Sequence, residues 1–139
     1  MWKWFFYVFF IILSTERKIN TWILIKEAIM AEKIIQTAGR NALGAFAPEF
    51  AHYNDDILFG ENWNNGDIDL KTRCIITVVS LMSQGVTDSS LKYHLTNAKD
   101  HGVTQKEMAA IITHTAFYCG WPHAWATFNL AKEVYAEEG

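Results

Sequence analysis

The sequence predicts an all-α protein. Apolar residues recur at spacings of three and four along most of the chain. Helix-capping residues stand just ahead of several of those stretches, and no segment alternates convincingly at period two. With 139 residues, 50% of them hydrophobic and 14% aromatic, the chain can bury a substantial core in one domain, and intrinsic disorder is not expected. Short connections between the periodic segments favour an antiparallel helical bundle.

The N-terminus departs from this pattern. Lys3 precedes an unbroken apolar run over residues 4–13. That run is shorter than the ~20 residues a membrane-spanning helix requires. It looks like the apolar part of a secretory signal, yet the STERKIN that follows carries no small-x-small cleavage pattern. A second start-like stretch, Met30-Ala31-Glu32-Lys33, reads as an ordinary cytosolic N-terminus. Three readings stay open for residues 1–29: an extension outside the working domain, an anchor or poorly processed signal, and a genuine helix. The expected division is a hydrophobic extension of doubtful role over 1–29 and the working domain over 30–139. A membrane partner is expected only if residues 4–13 act as an anchor.

Within the working domain, residues 33–46 have helical periodicity weakened by Gly39 and Gly44. Pro48 suits a helix start, and Phe50, Tyr53 and Ile57 follow at helical spacing. Residues 60–67, GENWNNGD, read as a loop. Asp69 can cap a helix from Leu70 to about Ser83. Its Ile75, Ile76, Val78, Val79 and Met82 make it apolar almost all round, as expected of a central buried helix. Asp88 or Ser89 can cap the next helix, which turns Leu91, Leu95 and Ala98 inward and stops at Gly102. Thr104 and Glu107 form a capping box. Behind it Met108, Ile111, Ile112, Thr115, Ala116 and Cys119 mark an inner stripe. Gly120-Trp121-Pro122 breaks the chain, and the last helix sets Trp125, Phe128, Ala131 and Tyr135 on one side. Trp63, Phe117, Trp121, Trp125 and Phe128 are more large aromatics than so small a core readily hides, so some are expected in a subunit interface.

The net charge of -3 and the lack of a basic stripe argue against a nucleic-acid partner. Cys74 and Cys119 show no metal-ligand or redox spacing and read as small hydrophobes, free thiols in a reducing cytoplasm. No metal motif or glycine-rich phosphate loop is present. Arg73 lies one turn into the most apolar helix, where a guanidinium can clamp a carboxylate with two parallel hydrogen bonds, or simply pair with an acidic neighbour. His94 lies on or beside an inward face, placed for proton transfer at neutral pH or for a core hydrogen bond. Glu107, His114 and Tyr118 align on one helix face, although the capping box alone accounts for Glu107. His52, His101 and His123 read as surface residues near helix ends.

Two stretches carry a resemblance: residues 39–63, from GRNALG to GENW, and residues 70–134. The second contains TR-x-I-I-T, then HL-x-x-A-x-x-x-G-V-T-x-x-E, then a YCGWP break followed by F-x-L-A-K-E-V. Together they resemble the carboxymuconolactone decarboxylase family over roughly residues 36–138. The resemblance implies an all-α, alkylhydroperoxidase D-like fold, no metal or organic cofactor, and homo-oligomers, trimers or hexamers. The peroxidases of that fold need a CxxC pair, a glutamate and a histidine, and the cysteines and the glutamate are not kept here. Those positions fall near Val86 and Ser89 and at Cys74, so thiol peroxidase activity is not expected. Arg73 and His94 match the family's reacting positions, whereas the late histidines of the true decarboxylases match Ala126 and Asn129. The implied activity is a cofactor-free lyase acting on a small carboxylated lactone or enol acid. Arg73 and His94 would be catalytic, with Tyr118, Trp121, Glu107 and His114 around the substrate. The alternative is a non-catalytic or accessory oligomer that binds a small ligand.

Overall fold

The structure, a computed structural model, describes residues 33–136, and the extension expected over 1–29 lies outside them. Every regular element among the described residues is helical. The chain packs as two compact units that divide between Asn64 and Asn65.

The first unit holds α1 (Ala38–Leu43) and α2 (Pro48–His52), which continues directly into a π-helix over Tyr53–Asn62. The sequence predicts a longer first helix, over 33–46, and a loop from Gly60. Both expectations need correction. Ahead of α1, side chains take the backbone groups a helix would use: Asn64 bonds both the N–H and the C=O of Ile34, at 2.8 and 2.9 Å. The Gln36 side chain accepts from the N–H groups of Thr37 and Ala38. The start of α1 is satisfied from a distance. Buried Asp55 accepts from the Gly39 and Arg40 N–H groups, each at 2.9 Å. A Cβ at position 39 would stand 2.7 Å from an Asp55 carboxylate oxygen, so this close approach requires glycine. The wider turns of the π-helix carry the helical path to Asn62. Trp63 then packs on Phe59 with ring centroids 5.5 Å apart and is buried. Trp63 is thus a core residue within the single chain.

The second unit is a bundle of α3 (Leu70–Ser83), α4 (Ser89–Asp100), α5 (Gln105–Cys119) and α6 (Trp121–Tyr135). Local chemistry sets its boundaries as the sequence suggests. Asp69 accepts from Thr72 N–H at 2.8 Å and Asp88 from Ser90 N–H at 2.8 Å. Thr104 and Glu107 complete the capping box. Gly85 and Gly102, at φ of 74° and 84°, end α3 and α4 in the left-handed conformation that a side chain would strain. Helix α3 packs against each of the other three. Cys74, Val78 and Met82 on α3, Leu91, Leu95 and Ala98 on α4, and Ile112 on α5 have no exposed surface. Burying a Val, Leu, Ile or Met side chain is worth about 1.5–3 kcal/mol. Helix α3 is nevertheless not buried all round, because Ile76 is half exposed. The inner stripe of α5 ends early, with Cys119 only half-buried, and Trp125 faces outward on α6.

Candidate functional site

Arg73 sits in the first turn of α3, where Asp69 caps the helix. Side chains of a helix lean toward its N-terminus, and Arg73 follows that rule. One terminal nitrogen donates to the Asn65 carbonyl at 2.7 Å. Its Nε is buried and makes no hydrogen bond among the described residues. The guanidinium is therefore anchored at one end and still has donors to offer.

His94 lies midway along α4, half-buried beside the fully buried Leu91 and Leu95. Its ring stands edge-on to Tyr93, with centroids 5.1 Å apart. Burial disfavours the imidazolium and lowers the His94 pKa. The Cys74 thiol approaches the Asn97 carbonyl at 3.8 Å, near the start of α3 and the end of α4, so the two helices run antiparallel. His94 lies one turn before Asn97 on α4, and Thr77 lies one turn after Arg73 on α3. Thr77 closes the same face by donating to the Arg73 carbonyl at 2.9 Å.

Glu107 is brought to the Arg73 end of the bundle by Lys71, whose ammonium bonds both carboxylate oxygens at 2.8 and 3.0 Å. Glu107 also accepts from the Thr104 N–H and hydroxyl. The hydrogen bond from Lys71, reinforced by those from Thr104, holds its pKa down at about 2. This carboxylate is committed to structure at neutral pH. His114 and Tyr118 form an exposed ring pair on α5, 5.1 Å apart. Trp121 opens α6, stands edge-on to Phe117 at 5.7 Å, and lines a cavity between α5 and α6.

The Cys74 thiol is pushed up to about 11 by burial and, secondarily, by the charge of Asp100. It stays protonated at neutral pH and is a poor nucleophile. No group of three or more His, Cys, Asp or Glu side chains is arranged to hold a metal among the described residues.

Sequence reasoning misplaced His123, which reads as a surface residue. It is half-buried, with its Nδ1 buried and without a hydrogen bond among the described residues. Its ring lies against the Gly85 turn, where a Cβ would stand 3.1 Å from Nε2. The only available hint was pairwise: a histidine just after the Gly-Trp-Pro break facing a glycine turn far off in sequence. His101 is likewise half-buried, with its Nδ1 2.7 Å from the Asn97 carbonyl.

The second unit is thus a capped antiparallel helical bundle that carries an arginine and a half-buried histidine on neighbouring helices. Comparison with known proteins supplies the family. The chain matches the carboxymuconolactone decarboxylase family over residues 48–133, and it belongs to that family. It is 27% identical over 117 residues to a Paracoccus denitrificans protein described as an uncharacterized 15.0 kDa protein in the nqo9-nqo10 intergenic region, covering 73% of this chain and 87% of that one. It is 26% identical over 100 residues to the nitrosuccinic acid decarboxylase npaB of Metarhizium robertsii, covering 72% of this chain and 68% of that one.

Proposed function

We propose that this protein is a decarboxylase-type lyase acting, without a cofactor, on a small carboxylic acid whose remaining fragment can hold the electron pair left by carbon dioxide. The family and one relative are both named for decarboxylation, which supports the reaction class. The observation that supports carrying the reading to residues is that Arg73, with its buried Nε making no hydrogen bond among the described residues, and the half-buried His94 lie on two helices packed against each other. In the reaction the C–C bond to the carboxylate breaks and carbon dioxide leaves. The electron pair moves onto an adjacent acceptor such as a lactone carbonyl, giving an enolate. Arg73 would hold the substrate carboxylate or the developing oxyanion. His94, protonated once an anion binds beside it, would return the proton to carbon.

A small carboxylated lactone or enol acid is the substrate class that this reading favours. The working assembly would be a homo-oligomer, trimer or hexamer, with the exposed Tyr118 walling the site, while Trp121 lines the cavity between α5 and α6. An accessory, non-catalytic role is the second reading. It draws support from Arg73, which already donates to Asn65, and from Ala126 and Asn129 on α6. The test is release of carbon dioxide from a panel of lactone carboxylates, β-keto acids and nitro acids. Turnover of any panel member that Arg73→Lys impairs supports the lyase. Carboxylate binding with no carbon dioxide released from any of them supports the accessory role.

A further inference from the structure

Two cavities lie end to end between α5 and α6, well away in sequence from Arg73 and His94. One, of about 600 Å³, is walled by Met108, Ile112, Ala131 and Tyr135. The other, of about 320 Å³, is walled by Ala116, Trp121, Ala124 and Trp125. Phe128 and Lys132 line both, so the two are lobes of one groove. Their sizes fall in the range of sites for small organic ligands, roughly 300–1,000 Å³.

The lining is apolar apart from a few groups. Thr113 donates its hydroxyl to the Ala109 carbonyl and Tyr135 donates to the Val103 carbonyl, so neither hydroxyl offers its proton to a ligand. Lys132 is the one charged residue in either lobe, and it stands where they meet. No hydrogen bond or ion pair engages its ammonium among the described residues. The neighbouring acid, Glu133, is taken by Lys92 at 2.8 Å. An apolar trough with the Gln105 amide in its larger lobe and, at its waist, one cation that no described acid engages complements an apolar body bearing one negative charge.

We propose that the α5–α6 groove is a binding site for an apolar monocarboxylate, with the carboxylate on Lys132 and the hydrocarbon along the lobes beside Phe128. The site is separate from the Arg73–His94 pair and requires no turnover, so it stands or falls independently of the lyase reading. Binding of decanoate to the full chain, measured by calorimetry with decanol as the neutral comparison, tests it. Wild type should bind decanoate saturably and more tightly than decanol. Lys132→Met should weaken decanoate roughly fivefold or more, as expected for a partly exposed ion pair near 1 kcal/mol, while leaving decanol within about twofold. Lys132→Arg should restore most of the loss. Ala109→Trp, which fills the mouth of the larger lobe from an exposed position, should abolish both. Circular dichroism on each variant confirms the fold. Equal affinities for decanoate in wild type and Lys132→Met overturn the proposal. So does an Ala109→Trp variant that binds normally. Absence of saturable binding in wild type, the result expected if a second copy of the chain lies in the groove, also overturns it.

Discussion

Burial beside Leu91 and Leu95 keeps the His94 imidazole largely neutral at neutral pH, so it must take up a proton before it can give one. If His94 is the acid of a lyase, kcat/KM should rise as pH is lowered toward the depressed pKa. A rate that climbs with pH instead would make His94 a base and sink this role. The same shift has a stability consequence of opposite sign. The unfolded histidine titrates near 6.5 and binds a proton that the folded one resists. The melting temperature should therefore fall as pH drops below about 6.5, and His94→Asn should flatten that part of the profile. In protein that stays folded, His94→Asn should slow turnover by roughly 10²–10⁴-fold, while Arg73→Lys should raise KM more than it lowers kcat, because a point charge cannot reproduce a planar fork. A change in melting temperature with unchanged kinetics would leave both residues as packing elements. The placement of Arg73 and His94 was legible in the sequence, Arg73 in the first turn of the most apolar helix and His94 beside the inward stripe of Leu91, Leu95 and Ala98. The anchor of Arg73 was not legible, since Asn65 contributes a backbone carbonyl from a turn whose path no side-chain pattern encodes.

Helix boundaries divide by the range of the interaction that sets them. Asp69, Asp88 and Thr104 cap within three residues of themselves, and each was readable from the sequence. Removing the Thr104 hydroxyl should cost about 1 kcal/mol, the usual worth of an N-cap, and urea unfolding of Thr104→Ala measures it. Its partner Glu107 is depressed to about 2. The stability it lends is therefore fully present above its unfolded pKa, near 4.3, and is lost as pH falls from there toward 2. Lys71→Met should shift that loss to higher pH. A pH–stability curve unchanged below pH 4.5 in that variant would remove Lys71 as the main cause. Helix α1 was misread because its donors are satisfied by Asp55, 15 and 16 residues later, and no local pattern announces such a partner. The π-helix was misread for a similar reason: GENWNNGD has the composition of a turn, while Asn64 accommodates it by donating to the Phe59 and Gly60 carbonyls. In the bundle core, Leu95 is fully enclosed, and Leu95→Ala should destabilise by about 2–5 kcal/mol.

Helix α5 turns two different faces away from its axis, and that geometry bears on the whole molecule. At 3.6 residues per turn, Ala109, Ile112 and Ala116 share the side that faces the α6 groove. Glu107, His114 and Tyr118 fall on nearly the opposite side. Tyr118 is 80% exposed and its neighbour Phe117 is 77% exposed, an expensive arrangement for a chain alone in water. Aromatic side chains of this kind are enriched where subunits meet. The proposed oligomer would use this outer face and leave the groove open. Wild type should then sediment as three or six chains, and Phe117→Glu combined with Tyr118→Glu should sediment as a monomer of unchanged helicity, because both side chains already face outward and their replacement opens no cavity. Decanoate should still bind Tyr118→Glu alone through Lys132, since Tyr118 lies on the side of α5 away from the groove, whereas Phe117 stands against the groove-lining Trp121. A wild-type monomer would reject the assembly. A charged double variant that remains oligomeric would place the interface elsewhere. Loss of decanoate binding in Tyr118→Glu would show that the two faces of α5 are not independent.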